Sequence, residues 1–401
     1  MEKMRVLIAD DSVVVRRVVT EELGAQPDIE VVGSASNGRS ALEKLAQLSP
    51  DLVILDIEMP EMDGLTALPQ MRKSHPHVPI VMFSSRTIDC AAATIEALAR
   101  GAADFFAKPQ SLGGLEASRQ VIRNELIPAL RALHAQRKRL QSRLSAGAKP
   151  TSNLSPSFPT ATATSAASSS AIASPSPTAT SAATKKNSET WSASGLGMGT
   201  AIRRESAQRV DLVVLAASTG GPNALVEIFA GLPAQFPVPL LIVQHMPPMF
   251  TQMLAERLTK TSKIPTFEAQ SGTHLEPGKA WIAPGDYHVV VGREAGRWQL
   301  NVNQEPPENA CRPAADPLLR SVSRSHGKHC LAVILTGMGQ DGLRGCESLQ
   351  SVGGQIIVQD EASSVVWGMP GYVAKASLAE RVLPLPLIAA EIVRRVRHER
   401  G

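Results

Sequence analysis

The sequence predicts an α/β protein built from two sheets: a five-stranded doubly wound sheet in the amino-terminal part, and a second, mostly parallel sheet with an antiparallel edge hairpin. Three observations carry this. Short apolar runs alternate with helical stretches twice along the chain, most of these runs end in polar or glycine-rich turns, and a Ser/Thr/Ala/Pro tract separates the two series. Residues 5–9, 29–33, 52–55, 80–83 and 104–106 are the first strand candidates, with helices such as 13–23 and 39–48 between them. Asp63 has the residue type and place of an N-cap for the third helix. Pro69 falls about two turns into that helix, where it removes a backbone donor and predicts a local kink costing about 3 kcal/mol unless the helix adjusts. Five strands joined by helices imply a parallel sheet covered on both faces.

From about 146 to 200 the composition changes. Thr160 to Ser170 contains only Thr, Ala and Ser, and such a tract buries too little surface to offset the entropy of ordering it. It reads as a flexible linker. The alternation resumes near 209, with strand candidates at 212–216, 240–244, 280–283, 288–291, 331–335 and 355–358. The stretch 280–302 reads as hairpin material, because Gly292-Arg293-Glu294-Ala295-Gly296 separates two β-like runs. The expected division is 1–125, 126–207 (helical extension and linker) and 208–398.

Over 401 residues the net charge is +4, too small to argue for nucleic acid, and the cluster Arg131, Arg137, Lys138, Arg139 and Arg143 reads as a solvated helix end. Between 209 and 398 there is no basic helix-turn-helix pattern. The four cysteines have no metal-ligand spacing and read as reduced thiols. No stretch approaches a membrane span or a signal peptide, so the expectation is a cytoplasmic protein without membrane insertion.

Asp10 and Asp11 end the first strand, Asp56 the third and Ser84 the fourth, while Lys108 follows the fifth. In a parallel sheet these converge on one edge. Three carboxylates there repel one another and call for a hard divalent cation, most simply Mg²⁺. A carboxylate beside such a cation and a lysine is a plausible phosphoryl acceptor. The run Asp10-Asp11-Ser12, Asp56 to Gly64, Ser84-Ser85 and Lys108-Pro109 resembles the flavodoxin-like receiver domain of two-component response regulators over residues 4 to about 125. The resemblance implies that Asp56 is phosphorylated and that Asp10, Asp11, Asp56 and the Glu58 carbonyl hold Mg²⁺. It also implies that Ser84 and Lys108 read out the phosphate, that Phe106 fills the aromatic switch position, and that Lys108-Pro109 is cis.

In the second part, Ser218 follows an apolar run and opens Thr219-Gly220-Gly221-Pro222, a strand-to-helix turn that lifts a hydroxyl out of a sheet. Gln244-His245-Met246-Pro247 and Thr336-Gly337-Met338-Gly339-Gln340-Asp341-Gly342 end two further runs. A serine nucleophile needs a base, the base needs an orienting acceptor, and the tetrahedral intermediate needs donors. Ser218, His245 and Asp341 supply the three types, and the N–H groups of Thr219 and Met338 are candidate oxyanion donors. Rival acids are Asp286 and Asp316; rival bases are His274, His288, His326 and His329.

These three motifs, with Leu254-Ala255-Glu256-Arg257-Leu258, Ala283 to His288 and Val366 to Gly371, resemble the catalytic domain of the chemotaxis protein-glutamate methylesterases, the CheB type, from about 209 to 395. The resemblance implies a phosphorylation-activated serine hydrolase with Ser218, His245 and Asp341 as its triad. Its substrates would be methyl-glutamate esters, and glutamines for deamidation, on methyl-accepting chemotaxis receptors. The phosphodonor would be a CheA-type histidine kinase, and the esterase step would need no cofactor. Ala216 and Ala314 depart from the family's usual glycine and serine, which bears on substrate preference, and the linker is long for the family. The alternative is a response regulator whose second domain binds protein without catalysis.

Overall fold

A computed structural model describes residues 3–85, 87–108, 114–145, 208–294 and 296–397. The amino-terminal half runs β1 (Met4–Ala9), α1 (Val13–Gly24), β2 (Ile29–Ala35), α2 (Gly38–Leu48), β3 (Leu52–Asp56), α3 (Gly64–Ser74), β4 (Ile80–Ser84), α4 (Ile88–Ala99) and β5 (Asp104–Ala107). The strands pair in parallel in the order β2-β1-β3-β4-β5. Every residue of β3 and β4 is buried, as expected of strands covered on both faces. The four helices start on side-chain caps: Ser12, Asn37, Asp63 and Thr87 each accept a hydrogen bond from an N–H of the first turn. Helix α3 passes through Pro69 unbroken. The carbonyl four residues earlier, Leu65, which loses its helical donor, accepts instead from Arg100 Nη1 at 3.0 Å.

Beyond β5 come α5 (Gly114–Val121), a π-helical turn (Ile122–Leu126) and α6 (Ile127–Ser145). Ile127, Leu130 and Leu133 of α6 belong to the same buried cluster as Met4, Val6 and Ile8 of β1, so packing of the first half continues past residue 125. The expected cis bond at Lys108-Pro109 and the linker tract lie outside the described residues.

The second half runs β6 (Leu212–Ala217), α7 (Gly221–Ala230), β7 (Leu240–Gln244), α8 (Phe250–Thr261), β8 (Thr266–Glu268), β9 (Ala280–Ile282), β10 (His288–Glu294) and β11 (Arg297–Asn303). It continues with α9 (Ala315–Ser325), a 3₁₀ turn (Gly327–His329), β12 (Cys330–Ile334), α10 (Leu343–Ser351), β13 (Gln355–Gln359), α11 (Met369–Lys375), β14 (Arg381–Leu383) and α12 (Leu385–Arg397). Seven strands pair in parallel in the order β14-β13-β12-β6-β7-β9-β8. The antiparallel hairpin is present as β10-β11 and forms its own two-stranded sheet. Strands β6 and β12, adjacent at the centre, are buried along their full length. Both halves belong to one compact unit. Among the described residues no helix is long and apolar enough to cross a membrane, and all four cysteines are free.

A buried charge network fastens α12 to the sheet. Arg395, 3% exposed, contacts Gln355 Oε1 at 2.8 Å, Glu380 Oε2 at 2.5 Å and Glu391 Oε1 at 2.8 Å. Burial pushes the Glu391 carboxyl up, but Arg394 and Arg395 outweigh it and hold the group down at about 2. That depressed value makes the contribution of Glu391 to stability fully present above the ordinary glutamate range and lost as the pH falls through about 2. Replacing Arg395 by Ala takes the guanidinium from the buried Glu380 carboxylate and leaves Glu391 to Arg381 and Arg394; it is expected to cost about 3–5 kcal/mol, read from urea unfolding at neutral pH.

Candidate active site

At the carboxyl end of β6 the chain turns through Ser218 and Thr219 into α7. Gly220 caps this helix with φ +76°, and Pro222 lies in its first turn. Side chains are excluded here: a Cβ on Gly220 would lie 2.4 Å from Val365 Cγ2, and one on Gly221 would lie 2.0 Å from Gln244 Oε1. Three bonds fix the serine backbone. Its N–H donates to the Thr336 carbonyl at 3.0 Å, and its carbonyl accepts from Gly221 N at 2.7 Å and Gln244 Nε2 at 2.9 Å. Gly337 passes so close that a Cβ there would stand 2.9 Å from Ser218 Cβ.

His245 follows β7, the neighbour of β6, and its backbone N–H donates to Ala217 O at 3.2 Å. The imidazole Nε2 lies 2.8 Å from Asp341 Oδ2. Asp341 is 1% exposed and has three further donors: Ala315 N to Oδ2 at 2.6 Å, Asp316 N to Oδ1 at 3.1 Å and Asn309 Nδ2 to Oδ1 at 3.0 Å. It therefore sits on the first N–H groups of α9, whose N-cap, Ala314, has no side chain to offer them. Burial opposes the charge of Asp341, but His245 and these donors hold its pKa below the usual carboxylate value. Burial likewise opposes the imidazolium of His245, and the Asp341 carboxylate together with the neighbouring Cys311 outweighs it, so the imidazole stands above its ordinary value.

The structure thus places Ser218 and His245 at the ends of adjacent strands and joins His245 to Asp341. It does not join the Ser218 hydroxyl to the imidazole; among the described residues that hydroxyl makes no hydrogen bond. The N–H groups of Thr219 and Met338 likewise have no acceptor among the described residues. The rivals have other partners. Asp286 pairs with Arg312 at 2.7 Å, and His288 bonds the backbone of Ala314 and Pro306 through its two ring nitrogens. His326 packs on Trp298 with ring centroids 5.1 Å apart, His329 Nδ1 meets Arg209 O at 3.1 Å, and His274 lies where the chain bridges to Gln299. Asp316 is linked to Asp341 through Asn309. Asn309 and Cys311 were not legible as site residues, because they lie in the connection from β11 to α9, which carries no periodic signal.

In the amino-terminal half, carboxylate oxygens of Asp10, Asp11 and Asp56 lie within 4.8 Å of one another. Lys108 Nζ stands 2.8 Å from Asp10 Oδ2 and 2.7 Å from Asp56 Oδ2. Burial raises both buried carboxyls against the pull of Lys108, Asp56 to about 6. One ammonium does not neutralise the cluster, and the all-oxygen donor set fits a hard divalent cation. Glu58 follows with an exposed side chain. Ser84 is fully buried at the end of β4, its hydroxyl within 3.4 Å of Cys90 O. Phe106 is half-buried against the core of this half.

The two halves meet at the serine turn. Asp104, 4% exposed at the start of β5, accepts from Gly220 N through Oδ2 at 3.1 Å, and Asn223 Nδ2 donates to Ala102 O at 3.2 Å. Phe105 stacks on Phe250 with centroids 4.8 Å apart.

Residues 6–119 match the family model described as the response regulator receiver domain, and residues 213–392 match that of CheB methylesterase. The chain is 42% identical over 400 residues to a protein-glutamate methylesterase/protein-glutamine glutaminase of Trichodesmium erythraeum (strain IMS101), covering 99% of this chain and 100% of that one. It is 43% identical over 400 residues to the protein of the same name from Nocardioides sp. (strain ATCC BAA-499 / JS614), covering 100% of this chain and 97% of the relative. The crystal structure of the Thermotoga maritima CheB methylesterase catalytic domain matches 47% of this chain and 99% of its own at 38% identity, with a TM-score of 0.46. The chain belongs to the protein-glutamate methylesterase/protein-glutamine glutaminase family, with a receiver domain ahead of a CheB methylesterase domain.

A methyl group on Gly221 has to displace the Gln244 amide that holds the Ser218 carbonyl. Gly221→Ala is therefore expected to lower stability by about 1–3 kcal/mol, measured by thermal unfolding of the full chain.

Proposed function

We propose that the chain is a phosphorylation-activated serine hydrolase that removes methyl esters from glutamates of methyl-accepting chemotaxis receptors and deamidates their glutamines, working in the cytoplasm. The observation that carries the reading is the His245–Asp341 contact of 2.8 Å at the rim where the Ser218 turn emerges. Nε2 is committed to Asp341, which leaves Nδ1 as the ring nitrogen that takes the serine proton. The Ser218 hydroxyl, held by no other group among the described residues, would reach Nδ1 when the ester is bound. Its oxygen attacks the ester carbonyl, and the oxyanion rests on the N–H groups of Thr219 and Met338. His245 gives the proton to the methoxide oxygen as its bond to the acyl carbon breaks, so methanol leaves, and water then resolves the acyl-enzyme by the same route. Asp341 orients the imidazole and offsets its charge.

Asp56 is the proposed phosphoryl acceptor, with a CheA-type histidine kinase as donor. Asp10, Asp11, Asp56 and the Glu58 carbonyl would hold Mg²⁺, which when bound offsets charge developing on the transferred group. Lys108 and Ser84 would contact the phosphoryl oxygens, and Phe106 would follow as the aromatic switch. The resting receiver holds the serine turn through Asp104 and Gly220, so phosphorylation would shift the population toward a form in which that hold is released.

Methanol release from methyl-labelled receptor, with and without acetyl phosphate, tests the activity. Ser218→Ala is expected to fold normally and to release no methanol; full release would reject the assignment. For the regulation, Asp104→Leu and a fragment starting at Arg209 are both expected to exceed the resting full-length rate. Rates no higher than the resting enzyme in both would remove the occlusion reading.

A further inference from the structure

Asp341 and Asp316 are both 1% exposed and lie at the same end of α9. Two buried carboxylates so placed repel each other, and burial with the nearby Asp341 charge raises the Asp316 carboxyl above its usual range. One group serves both. Asn309 Nδ2 donates to Asp341 Oδ1 at 3.0 Å and to Asp316 Oδ2 at 3.0 Å, and Asp316 Oδ1 is anchored by Gly345 N at 2.7 Å. An amide nitrogen carries two hydrogens and no charge, so it can satisfy two anions at once. A lysine there would compete with the imidazolium for Asp341, and a hydroxyl has one proton to give.

The loop is built to deliver that amide. Glu308 and Cys311 exchange backbone hydrogen bonds at 2.8 and 3.2 Å, Glu308 is paired to Arg320 of α9, and Asn309 is left-handed at φ +53°. Asparagine tolerates that conformation better than most side chains.

We infer that Asn309 is a positioning residue for the hydrolytic reaction: bridging Asp341 and Asp316, it fixes the Asp341 carboxylate in the orientation that holds the His245 imidazole. The inference rests on the proposed role of Asp341. On this inference Asn309 acts through Asp341 and not on the ester itself.

The test is methanol release by the full-length chain, activated with acetyl phosphate, in a double-mutant cycle. Asn309→Gly suits the left-handed backbone and removes the bridging side chain, so it should fold with a lowered thermal midpoint while kcat falls about 10²-fold, with KM unchanged. In an Asp341→Asn background the same change should lower kcat no further. Asn309→Asp, the same shape but without donors when ionised, should show the same loss, and it carries the test if the glycine variant does not fold. Wild-type kcat in either Asn309 variant, or an equal fractional loss in both backgrounds, overturns the inference. An Asp341→Asn enzyme with full kcat would instead sink the active-site reading, and the role of Asn309 would fall with it.

Discussion

A carboxylate removed from water stays ionised only where donors surround it. Asp341 meets that condition in full: an imidazole, two helix N–H groups and one amide converge on its two oxygens. Much of the second half is arranged around this requirement. Helix α9 begins beside the carboxylate without a side-chain cap of its own, the connection from β11 brings in Asn309, and His245 directly follows β7. The acidic cluster of the receiver is the opposite case. Asp10 and Asp56 are as deeply buried but share one lysine, and burial raises both carboxyls against its pull.

Both halves use a parallel sheet in the same way. Strands buried on each face leave their carboxyl ends as the positions where loops can carry polar chemistry. In the receiver, β1, β3 and β4 end at or next to Asp10, Asp56 and Ser84; in the second half, β6 and β7 end next to Ser218 and His245. The price of bringing loops together there is borne by glycine: Gly220, Gly221 and Gly337 each lie where a methyl group would overlap a neighbour.

This plan explains what the sequence disclosed. Long apolar runs mark the central strands, and the glycine-rich turns that follow them mark the site, because both signals are local. Strands β8 and β14 escaped detection; each has three residues at an outer edge of the sheet, where pairing rather than pattern defines them. Asn309 and Cys311 escaped for a related reason, since tertiary packing alone brings their loop to His245. Helix α3 continues through Pro69, with Arg100, on the next helix's end, supplying the missing donor to Leu65. Asp104 reads as the first residue of a strand, and only the folded chain reveals what its carboxylate meets.

Strand β5 is the outermost strand of its sheet, and it carries Phe105 buried against Phe250. An unpaired strand edge beside an apolar ring is a template for association with other chains. Any state in which the halves part leaves that ring wet. Separation would therefore carry the cost of hydrating an aromatic face, and that cost weights the molecule toward the closed arrangement.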